Sequence, residues 1–133
     1  MSDIYTAKLN VGNTNVVIYV DIYLERKSDQ VKLIETTIDG SYYVTTSNNK
    51  EAEQFVTKVA TNFLVPFAAL PYNTSRPEEA EKWVKAHITD SYDHEPKEET
   101  SKKIEMGTLN IYGNQLMRTF EMDFGYGDIT IED

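Results

Sequence analysis

Val16-Val17-Ile18-Tyr19-Val20-Asp21-Ile22-Tyr23-Leu24-Glu25 is the stretch on which the fold turns. Val16, Ile18, Val20, Ile22 and Leu24 recur at every second position, and Val17, Tyr19, Asp21, Tyr23 and Glu25 fill the gaps. Successive side chains of a strand point to opposite faces, so this period predicts a strand over 16–25 with one face on a core. Its other face is aromatic and acidic.

Working outward, residues 3–11 alternate more weakly, and Gly12-Asn13-Thr14-Asn15 separates them from the central strand as a turn. Lys27-Ser28-Asp29-Gln30 makes the next turn, before a β-branched run at 31–38. Asp39-Gly40 fits a two-residue type I′ hairpin into a fourth strand at 41–46, because glycine takes positive φ without a steric penalty. That register sets Thr37 opposite Tyr42 and Glu35 opposite Val44. Two helices follow. Asn48-Asn49-Lys50-Glu51 resembles a capping box, and Ala52, Phe55, Val56, Val59 and Phe63 form an apolar stripe, with Pro66 expected to end or kink the helix. Phe67 to Tyr72 then reads as an apolar connector. Ser75-Arg76-Pro77-Glu78 offers a serine cap and an early proline to a second helix, whose apolar side is Trp83, Val84 and Ile88. Residues 89–101 are polar and read as an exposed loop. Strands return at 102–112 and 115–124, joined by Gly113-Asn114, with a phase slip at Gly107-Thr108 expected to be a β-bulge. Leu116, Phe120, Met122 and Phe124 mark the inward face of the last strand, and 129–133 is an acidic tail.

The expectation is one α+β domain over 1–133: a mostly antiparallel sheet, built from an N-terminal four-strand meander and a C-terminal hairpin, with two helices packed on it. The 133-residue length suits a single domain, and nine tyrosines, five phenylalanines and one tryptophan argue against disorder. There is no cysteine, as befits a reducing compartment, and no basic, apolar leader opens the chain. A cytoplasmic location is therefore expected.

Charge is lopsided. The formal net charge is −9; residues 1–70 carry 8 acids and 6 bases, and residues 71–133 carry 14 acids and 7 bases. Such a field repels nucleic acid and anionic membranes and attracts basic partners. Glu78, Glu79, Glu81, Asp90, Asp93, Glu95, Glu98 and Glu99 are the densest acidic set. They read either as a solvated face or as a row of carboxylates imitating phosphates. Tyr19, Asp21 and Tyr23, with Glu25 beside them, form a second candidate contact patch, since tyrosine buries area while keeping a polar handle.

Catalytic signals are few. No serine sits in a Gly-x-Ser-x-Gly elbow, and no phosphate-cradling glycine pattern occurs. Asp90, Asp93, His94 and Glu95 have the chemistry to collect a cation, but loop acids of this kind are usually just hydrated. No catalytic residue, metal site or cofactor is assigned.

The order of parts is similar to that of the small acidic phage-encoded inhibitors of the anti-CRISPR type, which block nucleases by mimicking DNA. The resemblance rests on a short antiparallel meander, Asp39-Gly40 followed by Tyr43-Val44, a polar Ser-Asn cap into a helix with inward aromatics, and a second acidic helix. It covers about residues 5–88; the strands from 102 onward have no counterpart in the smallest such proteins. Bacterial toxin-immunity proteins are equally compatible. No functional residue is carried over by identity. The resemblance implies a cytosolic, non-enzymatic inhibitor whose acidic, partly DNA-mimicking surface binds a basic protein, either a defence nuclease or a toxin. Two other readings stand beside it. One is a small-ligand module for a nucleotide or sugar, with Tyr19, Tyr23, Tyr42, Tyr43 and Trp83 around a pocket. The other is a phage structural or assembly protein that oligomerises through a strand edge.

Overall fold

The structure is a computed structural model that describes residues 2–12, 14–25, 30–41, 49–72, 76–88, 101–105, 107–114 and 116–125. Among the described residues, six strands and two helices follow one another as β1 (Ser2–Asn10), β2 (Val17–Glu25), β3 (Val31–Asp39), α1 (Asn49–Ala69), a 3-10 turn (Leu70–Tyr72), α2 (Pro77–His87), β4 (Ser101–Ile104), β5 (Gly107–Gly113) and β6 (Met117–Asp123). All strand pairs are antiparallel, and the sheet order is β1-β2-β3-β6-β5-β4. The expected α+β class therefore holds. Two three-stranded meanders, one from each end of the chain, meet where β3 pairs with β6.

That meeting corrects the expected strand order. β3 has β2 on one side and β6 on the other, so Thr37 faces Tyr19 and Thr119, and Glu35 faces Asp21 and Glu121. No side of β3 is left for a strand at 41–46, most of which, with Tyr42 and Tyr43, lies outside the described residues. Gly40 does not take the positive φ that a type I′ turn requires. It is needed for space: a Cβ there would lie 2.2 Å from Val56 Cγ2 of α1. Asp39 instead closes a local turn, its Oδ1 accepting from Ser41 N at 3.0 Å and Ser41 Oγ at 2.6 Å.

The C-terminal part is a meander of three strands, not a hairpin of two. Ile104 pairs with Gly107, and Glu105 between them has φ 56°, so the phase slip marks a tight reversal between β4 and β5. Tyr72 holds this reversal, its hydroxyl donating to the Ile104 carbonyl at 3.2 Å.

One face of the sheet carries the helices. Ile18, Val20, Ile38, Leu109, Ile111, Phe120 and Met122 pack there against Val56, Ala60, Leu64 and Ala68 of α1 and Ala80 and Val84 of α2. α1 runs through Pro66 to Ala69, so of the two outcomes expected there, an end or a kink, the end does not occur. Pro66 and Asn62, four residues earlier, are both exposed, so the carbonyl that loses its donor faces water. α2 begins on Arg76 with no side-chain cap and with Pro77 in its first turn; Ser75, expected to cap it, lies outside the described residues, as does Asn48 before α1. Arg118 points inward among the apolar residues of β6 and is 2% exposed. Its guanidinium donates to the His87 carbonyl at 3.4 Å, at the negative end of the α2 dipole.

Candidate functional site

The helix-free face of the sheet is built by the alternate residues of the same strands. Directly paired residues share a face, so the ladders place side chains in rows. One row runs Thr6, Asp21, Glu35, Glu121, Asn110, Ser101 across all six strands. Its middle is three carboxyl groups on three adjacent strands. Strands lie about 4.8 Å apart, and like charges directly opposite one another are destabilising. The neighbouring row on one side holds Lys8, Tyr19, Thr37, Thr119 and Tyr112, and the row on the other holds Tyr23, Leu33 and Asp123. Tyr19, Tyr23 and Tyr112 thus flank the acids. All of these side chains are half-buried apart from Asn110, which is buried, and from Thr6 and Lys8 at the edge, which are exposed. Among the described residues no helix lies over them.

The acids are held by hydrogen bonds that converge on Glu121. Tyr112 Oη donates to its Oε2 at 2.9 Å, and Asn110 Nδ2 reaches its Oε1 at 3.4 Å. Ser101 Oγ in turn bonds Asn110 Oδ1. Glu35 lies directly opposite Glu121, and a hydrogen bond toward Glu121 favours the protonated form of Glu35. Burial, that hydrogen bond, the Glu121 charge and the Asp21 charge together push Glu35 above the ordinary carboxylate range. Tyr23 is also raised, first by burial and then by Glu35, Asp21 and Glu121. Tyr112 is raised by burial and by its bond to Glu121. The face is therefore crowded with negative charge. The adjoining cleft, about 280 Å³, is lined by Lys8, Asn10, Thr14, Asn15, Val17, Tyr19 and Asp39 and takes in neither Glu35 nor Glu121.

The sequence-derived candidates divide between two sides of the molecule. Tyr19, Asp21 and Tyr23 come together on the open face. Glu78, Glu79 and Glu81 sit on α2, against the other face, so they form no single surface with the tyrosines. Glu79 is already engaged, 3.0 Å from Arg76 Nε and 3.9 Å from Lys102 Nζ. Asp90, Asp93, His94, Glu95, Glu98 and Glu99 lie outside the described residues. Trp83 is on the helical side, stacked on His87 with ring centroids 4.4 Å apart, so it shares no pocket with Tyr19 and Tyr23. Among the described residues no group of three or more His, Cys, Asp or Glu is arranged to hold a metal ion. None of their helices is long and apolar enough to cross a membrane.

Sequence reasoning missed Glu35, Glu121 and Tyr112. The inward pattern Phe120, Met122 implied that Glu121 faces outward. What was not visible was that β3 and β6 are neighbours, which alone puts Glu35 opposite Glu121.

Comparison with known proteins adds no relative: no family model, no curated protein and no solved structure matches the chain.

Proposed function

We propose that this chain is a non-enzymatic, cytoplasmic inhibitor that binds a basic protein partner, a nuclease or a toxin, through the open face of its sheet. The observation that carries the reading is the in-register row Asp21, Glu35, Glu121. Mutual repulsion makes such a row costly in the free protein, and an arginine or lysine laid across it relieves the repulsion. Charges about 4.8 Å apart have a spacing of the same order as phosphates along a nucleic-acid strand, so the row suits a surface that competes for a nucleic-acid channel. Tyr19, Tyr23 and Tyr112 supply rigid aromatic area around it, the usual company of a charged contact. The net charge of −9 adds long-range steering toward a basic surface.

The experiment is a tagged pull-down from nuclease-treated lysate of the organism that encodes the chain. It compares the wild type with an Asp21→Asn, Glu35→Gln, Glu121→Gln variant. A basic nucleic-acid-binding protein or toxin should be held by the wild type and released near 0.5 M salt, where the Debye length is only a few Å. The neutralised variant should capture none of it. Equal capture by both would sink the proposal.

A further inference from the structure

The two edges of the sheet are treated differently. β4 is four residues long and carries Lys102 and Lys103, both exposed, which is how sheet edges are ordinarily protected from pairing. β1 is less protected, with Lys8 its one lysine. It is nine residues long, holds no proline, and pairs with β2 in an unbroken register from Ser2↔Glu25 to Asn10↔Val17. Every residue from Ile4 to Asn10 is exposed, including Ile4 at 54%, Tyr5 at 61% and Leu9 at 45%. Tyr5 and Leu9 pair with Ile22 and Ile18, so they lie on the helical side of the sheet, yet neither is covered. Among the described residues β1 ends the sheet, and an edge strand's outward backbone donors and acceptors are a template for another strand.

We propose that the occupant is a second copy of this chain, paired antiparallel through β1 about a two-fold axis at Ala7. Charge favours this place. The chain carries −9, so two copies repel over most approaches, but Ile4 to Asn10 contains one charge only, Lys8. Self-complementarity fixes the register. With the axis at Ala7, Tyr5 faces Leu9 of the second copy and Leu9 faces its Tyr5. Ile4 meets Asn10, Thr6 meets Lys8, and no like charges are opposed. Placing the axis at Thr6 sets Leu9 opposite Asp3, placing it at Tyr5 sets Leu9 opposite Met1, outside β1, and placing it at Leu9 sets Tyr5 opposite Asn13. Ile4, Tyr5 and Leu9 together expose roughly 300 Å² per copy, and the backbone edge brings the total buried to the order of 1,000 Å², the lower end of specific interfaces. The dimer is therefore expected to be of micromolar strength, a twelve-stranded continuous sheet.

The test is sedimentation equilibrium from about 10 to about 300 µM, a range that brackets such a constant. It is combined with crosslinking, for which a chain without cysteine is suited. The wild type should move from monomer to dimer across the range. Leu9→Lys, with an unchanged circular dichroism spectrum, should weaken association at least tenfold. Ala7→Cys should crosslink through a short bis-maleimide, because its two copies face each other. Asn10→Cys should not, because its copies lie about six residues, or about 20 Å, apart along the strands. A wild type that stays monomeric at the top of the range overturns the proposal. So does a dimer indifferent to Leu9→Lys, or equal crosslinking at positions 7 and 10.

Discussion

Neutralising Glu35 should make the protein more stable. Glu35 faces Asp21 on one side and Glu121 on the other, and burial adds to its difficulty in ionising. Each like-charge cross-strand pair opposes folding by a few tenths to about 1 kcal/mol, and Glu35 is only half-buried, so water screens part of this. Glu35→Gln keeps the size and the hydrogen-bonding capacity toward Glu121 while removing the charge. The expected gain at pH 7 is about 1 kcal/mol, or about 0.5 M in the urea midpoint for a chain of this size. The sign depends on pH in a defined way. A carboxyl raised by folding holds more protons folded than unfolded between its unfolded and folded pKa values, so stability falls as pH rises through that window. The wild type therefore loses stability from about pH 4 upward on account of Glu35, and Glu35→Gln does not. Urea melts of both proteins at pH 7 and at about pH 3.5 measure the difference; it should be present at the first and absent at the second. A variant that is less stable at pH 7, or whose gain is the same at both pH values, would refute the electrostatic account of this face.

Three further outcomes follow from other parts of the structure. Gly40→Ala should destabilise by about 1–3 kcal/mol in urea or thermal melts, because the new Cβ meets Val56 Cγ2 at 2.2 Å and either β3 or α1 must shift. Pro66→Ala should stabilise by about 1–3 kcal/mol in the same melts, since it restores a hydrogen bond inside a continuous α1; a loss of stability would place the end of the helix at Pro66 instead. Tyr112→Phe should cost about 1 kcal/mol by removing the 2.9 Å bond to Glu121. In an ultraviolet titration it should also abolish a tyrosine that resists ionisation at pH 10 and whose stabilising contribution is lost only as alkali is added.

Much of the architecture was legible because local patterns agreed with it. Val16, Ile18 and Val20 are buried as their alternation required, and Ala52 and Val56 of the α1 stripe face the core. The errors came where a local signal met a non-local competitor. Asp39-Gly40 carries a strong hairpin signature, yet the strand that pairs with β3 comes from about eighty residues away, and Gly40 serves the approach of α1. The slip at Gly107 was seen, but an irregularity within one strand and a turn between two leave the same mark on hydrophobic phase. Arg118 sits at an inward position of β6 and donates to the His87 carbonyl at the end of α2, a contact that no periodicity announces. The site followed the same division. Tyr19, Asp21 and Tyr23 are legible as one face of one strand, whereas the row with Glu35 and Glu121 exists only through the pairing of β3 with β6.

The claim that the open sheet face is the binding surface is tested most directly by amide chemical-shift mapping. The captured basic partner would be titrated at low salt into the isotope-labelled chain. The account expects the largest changes around Asp21, Glu35 and Glu121 and at the flanking Tyr19, Tyr23 and Tyr112, fading when salt is raised. Changes confined to Glu78, Glu79, Glu81 and the rest of α2, with β2, β3 and β6 unmoved, would contradict it.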